Sequence, residues 1–169
     1  MTNRIHTLFI IGLLTFLSLT LVGCKDIELP ENSSSFAIRQ THFISDKGYN
    51  IKETKGLINS YILKRNMLAD LPYSNYWGLQ EIEASSYIGK QIDIYSYIVD
   101  NHPLDTLGDL NETKLWLMVC ENEIIGGYSL QNNSVALYGG VYSLDGLTLE
   151  EFTGMDFPTL QENWQNKYN

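Results

Sequence analysis

The sequence predicts an α+β domain: an antiparallel β-meander packed against one or two helices and preceded by a cleaved signal peptide. Three observations carry this. Segments 91–99, 114–120, 124–130 and 135–142 have the apolar patterns of strands. Their connections are too short for crossover helices, so neighbouring strands must run antiparallel. Ahead of them, Phe36 to Lys47 has helical spacing.

The elements follow in chain order. Residues 1–23 read as a lipoprotein signal peptide: Arg4 in a short polar head, an apolar stretch from Leu8 to Val22, then Leu21-Val22-Gly23-Cys24. The stretch of about fifteen residues has the length of a signal-peptide core and falls short of the roughly twenty a membrane-spanning helix needs. Leu-Val-Gly-Cys matches a lipobox, so Cys24 is expected to become the diacylated N-terminus. Residues 24–35 are then the lipidated cysteine and a polar tether with Pro30 and three serines. A single globular domain is expected over 36–169.

Within that domain, Phe36, Gln40, Phe43 and Ile44 share one helical face, with a serine available as N-cap and Gly48 as the stop. Tyr49 to Lys52 reads as a short strand. Residues 57–68 fit either an amphipathic helix or a strand; the strand is preferred because Gly56 suits a turn between strands. A short helix over 67–77 is interrupted by Pro72. Gln91 to Val99 alternates as a half-buried strand that Asn101-His102-Pro103 ends, and 105–112 is a polar loop. Lys114 to Cys120 is apolar on both faces, which places it mid-sheet. Turns at 121–123 and 131–134 lead into the last two strands. The expected buried face holds Ile92, Ile94, Ile98, Leu115, Leu117 and Val119. The glycine pairs 126–127 and 139–140 lie in strands, where glycine marks bulges or close backbone packing.

These motifs, in this order, resemble domain of unknown function family 4830 of Gram-positive lipoproteins, over roughly Phe43 to Leu147. The likeness rests on Gly48-Tyr49, Tyr87-Ile88-Gly89-Lys90, Tyr95 to Val99, Asn101 to Pro103, Ile124 to Gly127 and Leu144 to Gly146. Residues 63–78 and 105–112 depart from the pattern. The resemblance implies an α+β fold and a lipid-anchored protein outside the cytoplasm; it implies no activity.

Composition narrows the function classes. Once the signal is removed, about 146 residues remain, enough for one core. The formal net charge is −9 and no basic cluster is present, so nucleic acid is not an expected partner. An acidic surface does not adhere to anionic lipid unaided, so attachment to the cell membrane, on its extracytoplasmic side, falls to diacylglycerol on Cys24. With Cys24 consumed, Cys120 is the remaining cysteine and no internal disulfide forms.

The search for chemistry yields little. His42, His102 and Cys120 show no metal-ligand spacing, no cofactor motif is present, and no Gly-x-Ser-x-Gly elbow occurs. Cys120 and His102 could pair only if the fold brought them together. The carboxylate pairs Glu81/Glu83, Glu121/Glu123 and Glu150/Glu151 read as solvated charges. What stands out is eleven tyrosines. Tyr95, Tyr97, Tyr138 and Tyr142, on one sheet face, are candidates for a surface that recognises an envelope protein or cell-wall ligand; the competing reading is that a helix covers them. The sequence therefore favours a non-catalytic lipoprotein module. The alternative is a small cell-envelope hydrolase whose site is assembled only in the fold.

Overall fold

A computed structural model describes residues 31–134 and 140–169, with side chains from residue 35 onward. The signal peptide 1–23, Cys24, most of the tether and residues 135–139 lie outside the described residues. No described helix is long and apolar enough to cross a membrane.

The fold is α+β, with a five-stranded antiparallel meander in the order β1-β2-β3-β4-β5. Helix α1 (Glu31–Asp46) precedes it. The helix starts inside the segment expected to be tether, so Ser33 to Ser35 lie within its first turns rather than ahead of it. Phe36, Gln40 and Ile44 recur every four residues and are all buried. Its end is a glycine stop: Gly48, at φ 87°, donates to Ser45 O, and Tyr49 N donates to Ile44 O.

Strand β1 (Asn50–Ile62) is continuous. It absorbs both the short strand at 49–52 and the ambiguous segment from 57. Gly56 (φ 74°) is a kink at one of three register shifts against β2, not a turn between two strands. Helices α2 (Arg65–Ala69) and α3 (Tyr73–Gly78) flank Pro72, so the interruption divides the expected helix in two. After a 3₁₀ turn (Ala84–Tyr87) come β2 (Gln91–Asp100), β3 (Thr113–Cys120) and β4 (Glu123–Gln131). The β3–β4 hairpin turns at Glu121 and Asn122, both at positive φ, as a two-residue turn requires. The strand expected over 135–142 is much shorter where it is described: β5 pairs only at Tyr142–Ser143. Helices α4 (Leu149–Thr153) and α5 (Phe157–Tyr168) close the chain.

The sheet is buried on both faces, which corrects the single apolar face expected from sequence. All six named residues are buried. However, the register sets Ile94 opposite Met118 and Tyr95 opposite Leu117. Side chains alternate along a strand, so Ile92 and Ile94 point to one face while Leu115, Leu117 and Val119 point to the other. On the first face, Ile92, Ile94 and Met118 pack with Leu68, Trp77, Leu149, Leu160 and Tyr168 from α2 to α5. On the second, Tyr97, Val99, Leu115 and Leu117 pack with Ile44 of α1 and with Tyr49. β3 lies in the middle, as its two apolar faces predicted.

Candidate functional site

The two residues that could have formed a thiol–imidazole pair sit at opposite ends of the sheet. Cys120 ends β3, whereas His102 follows β2 beside the start of β3, where Val99 pairs with Thr113. Seven residues of extended strand separate those ends, roughly 23 Å. Burial raises the Cys120 thiol pKa, which disfavours the thiolate. His102 has a structural task. Leu104 N donates to its Nδ1 at 3.1 Å, so Nε2 carries the proton and donates to Leu144 O at 3.0 Å. Burial lowers its pKa, consistent with a neutral ring. Among the described residues, no group of three or more His, Cys, Asp or Glu converges as a metal site.

The tyrosines do not form one surface. Tyr97 is 3 % exposed beneath α1, and its hydroxyl donates to Gln40 Oε1 at 2.8 Å; burial pushes its pKa up to about 12. This corrects its candidacy as a surface residue. Tyr95 is half-buried, with the Phe36 ring edge-on at 5.5 Å. Tyr142 is half-buried on β5, with two strands between it and β2, and its hydroxyl accepts from Gln131. Tyr138 lies outside the described residues. On the opposite face, other aromatics form a run that sequence reading did not connect. Tyr61, Tyr73, Tyr76, Tyr128 and Trp116 follow one another at centroid distances of 4.3–6.2 Å, with Tyr76 and Tyr128 stacked. These rings belong to the core layer.

A cleft of ≈ 280 Å³ lies at the outer edge of β4. Its floor is Ile124 to Gly127. One wall is the end of α1, with Phe43 and Lys47; the other is the segment Leu79 to Ile82 after α3; the turn Ser143 to Asp145 and Phe152 of α4 close one end. β5 covers the outer side of β4 only at Tyr128 and Ser129, so among the described residues no strand pairs with the floor from outside.

Sequence builds each part locally. Against β3, the register jumps between Met118↔Gly126 and Val119↔Ile124, so Ile125 is an extra residue in β4. Such a bulge re-aims its side chain, here into the cleft lining. Gly126 (φ 149°) and Gly127 are required by close approach. A Cβ at Gly126 would meet Gln80 Oε1 at 2.0 Å, and one at Gly127 would meet Trp116 O at 2.2 Å. Gln80 crowds Gly126, while Trp116 O and the Leu144 side chain crowd Gly127. Gly127 N donates to Gln80 Oε1 at 2.8 Å, while Gln80 Nε2 donates to Gly127 O at 2.9 Å and to Tyr76 O at 2.6 Å. The side-chain amide thus pairs with Gly127 as a neighbouring strand's peptide group would.

The end turn is held with comparable care. Ser143 Oγ accepts from Asp145 N and Leu147 N, and Ser129 Oγ donates to Ser143 O. Leu144 O accepts from both His102 and the Tyr49 hydroxyl. Lys47 Nζ pairs with Asp145 Oδ1 at 2.8 Å, bridging the α1 wall and the turn. Glu81 adds an exposed carboxylate on the opposite wall. The cleft therefore offers an apolar lining, a strand edge and a rim on which Lys47 and Asp145 neutralise each other and Glu81 leaves one negative charge.

Sequence reading singled out Gly126-Gly127 but not the cleft. No local signal marks it, because its parts come from residues 43 and 152 and from points between. No protein-family model, curated protein or solved structure matches this chain.

Proposed function

We propose that this chain is a lipid-anchored, extracytoplasmic binding module of the bacterial cell envelope. Diacylglycerol on Cys24 holds it to the cell membrane, and the β4-edge cleft engages an envelope protein or cell-wall component. Kinship with domain of unknown function family 4830 is part of the same proposal. The observation that carries the binding reading is the cleft itself: a strand edge at the floor of a walled groove, built by glycines that tolerate no side chain. The lipobox sequence supports the anchoring. The separation of Cys120 from His102 removes one pairing that a hydrolase reading could use.

The test has two arms in cells of a lipoprotein-processing bacterium. Cys24→Ala should release or misprocess the protein, with a mass that lacks the diacylglycerol. A photo-crosslinking residue at Ile82, on the cleft wall, should yield a discrete adduct, while one at Leu57 on β1 should not. Membrane retention of Cys24→Ala with unchanged mass would overturn the anchoring. An adduct at Leu57 alone would overturn the cleft as the binding site.

A further inference from the structure

Building on the cleft as the binding site, we propose that its occupant is an extended, basic peptide segment laid along the outer side of β4. The first argument is the shape of the groove. A strand edge forms its floor, α1 stands on one side and the 79–82 segment on the other, with the 143–145 turn at one end. At ≈ 280 Å³ it lies just below the range typical of drug-sized ligand pockets and suits a stretch of a few residues.

The second argument is Gln80. A carboxamide is the side-chain equivalent of a peptide group, and this one both accepts from Gly127 N and donates to Gly127 O. The β4 edge is therefore already read by an amide at its inner end. Next to Gly127, Ile124 to Gly126 continue the floor with no outer strand among the described residues. A peptide entering the slot extends the pairing that Gln80 begins, which is how extended peptides dock on open sheet edges. Ile125, turned into the lining by the bulge, and Phe43 provide apolar contacts for the alternate side chains.

Charge selects the sign of the peptide. Lys47 and Asp145 neutralise each other at one end of the slot, so its net charge is the single negative charge of Glu81. The chain as a whole carries −9. Such a field favours approach of a cationic segment and rejects an acidic one.

The experiment uses the full chain, produced in a processing host and held in detergent micelles, with three blocked pentapeptides. These are Ac-Val-Lys-Val-Lys-Val-amide, its glutamate counterpart Ac-Val-Glu-Val-Glu-Val-amide, and the lysine peptide N-methylated at alternate residues. The lysine peptide should shift the amide resonances of Ile124 to Gly127 and slow hydrogen exchange at Ile125. The glutamate peptide should bind at least about tenfold more weakly, and so should the methylated one, which has lost backbone donors. Glu81→Gln, a change at an exposed side chain, should weaken the lysine peptide several-fold without altering the fold. Equal affinity of either control peptide would overturn the proposal, as would shifts confined to β1. Silence of all three peptides at millimolar concentration while the Ile82 adduct persists would overturn this occupant and leave the site standing. Loss of the adduct as well would overturn both.

Discussion

Among the described residues, no strand pairs with the outer side of β1 along its 13 residues, whereas the opposite edge of the sheet is covered piece by piece. On that side β5 takes Tyr128 and Ser129, the Gln80 amide takes Gly127, and the cleft walls flank the remainder. Both edges bear half-exposed or lining apolar residues: Leu57, Ile58 and Ile62 on β1, Ile124 and Ile125 on β4. The difference lies in how unwanted pairing is prevented. β1 carries three register shifts, a glycine at positive φ, and Lys52, Glu53 and Lys55 along its exposed length. Bulges and charges are the usual means of spoiling a template for edge-to-edge association. β4 has a single shift and is instead flanked by α1 and the 79–82 segment. One edge is guarded by irregularity and the other by its flanks.

Glycine substitution should separate the two edges most sharply. Gly127→Ala places a Cβ 2.2 Å from Trp116 O, a backbone atom that cannot swing aside. The expected cost is about 3 kcal/mol or more, in the range of severe overpacking. Urea unfolding should show a clearly lower midpoint; a loss under about 1 kcal/mol would mean that the β3–β4 ladder can shift and that close packing at Gly127 does not constrain the cleft floor. Gln80→Ala comes next. It removes hydrogen bonds to Gly127 N, Gly127 O and Tyr76 O in a partly buried position. A loss of about 2 kcal/mol is expected, with faster hydrogen exchange at the Gly127 amide. Unchanged exchange there would refute the idea that Gln80 substitutes for a neighbouring strand.

The sequence disclosed the meander because period-two patterns and short turns are local properties, and β3 announced its central position by being apolar on both faces. The division of that core into two faces was not local. It depends on register, and shifting the pairing by one residue moves a side chain to the other face. Tyr97 illustrates the consequence: its alternation marked it as facing away from Ile92 and Ile94, but only α1 lying on that face makes it core. Some missed features did have signals. Thr148 and Glu151 form a reciprocal capping box that starts α4, and Asp156 caps α5 ahead of Pro158. The cleft had none, since Phe43, Gln80, Ile125, Asp145 and Phe152 come from five separate elements or turns. Gly126-Gly127 was its one visible trace, and it was read correctly as close packing without revealing what packs there.

A smaller effect is expected on the guarded edge. Gly56→Ala meets nothing within 4 Å, so the cost is only that of holding alanine at φ 74°, about 1 kcal/mol. Urea unfolding of this variant beside Gly127→Ala makes a direct contrast. Equal losses would indicate that the β1 bulge is as tightly packed as the β4 floor, and the distinction between the edges would fail.

The smallest effect concerns pH and the wall of the cleft. Glu83 follows Ile82 directly, and its Oε1 accepts from Lys167 Nζ at 2.9 Å, Tyr168 OH at 3.0 Å and Ser85 Oγ at 2.9 Å. These donors, Lys167 foremost, hold its carboxyl pKa down to about 2. The folded value is thus below the ordinary glutamate value of about 4.3. Folding favours the ionised form, so this contribution is fully present above the ordinary value and fades as pH falls toward 2. The carboxylate is about half exposed, with 54 % of its side-chain surface accessible, so solvent keeps the contribution small. Glu83→Gln preserves shape and removes the charge. Thermal melts should therefore separate the two proteins most at pH 6, less at pH 4, and scarcely at all near pH 2. Hydrogen exchange at pH 6 should rise in the variant at residues 81–84 and stay constant at 57–62, because the clamp steadies the cleft wall and has no contact with β1. A melting difference that is the same at every pH would show that hydrogen bonding to Tyr168 and Ser85, rather than the charge facing Lys167, holds that wall in place.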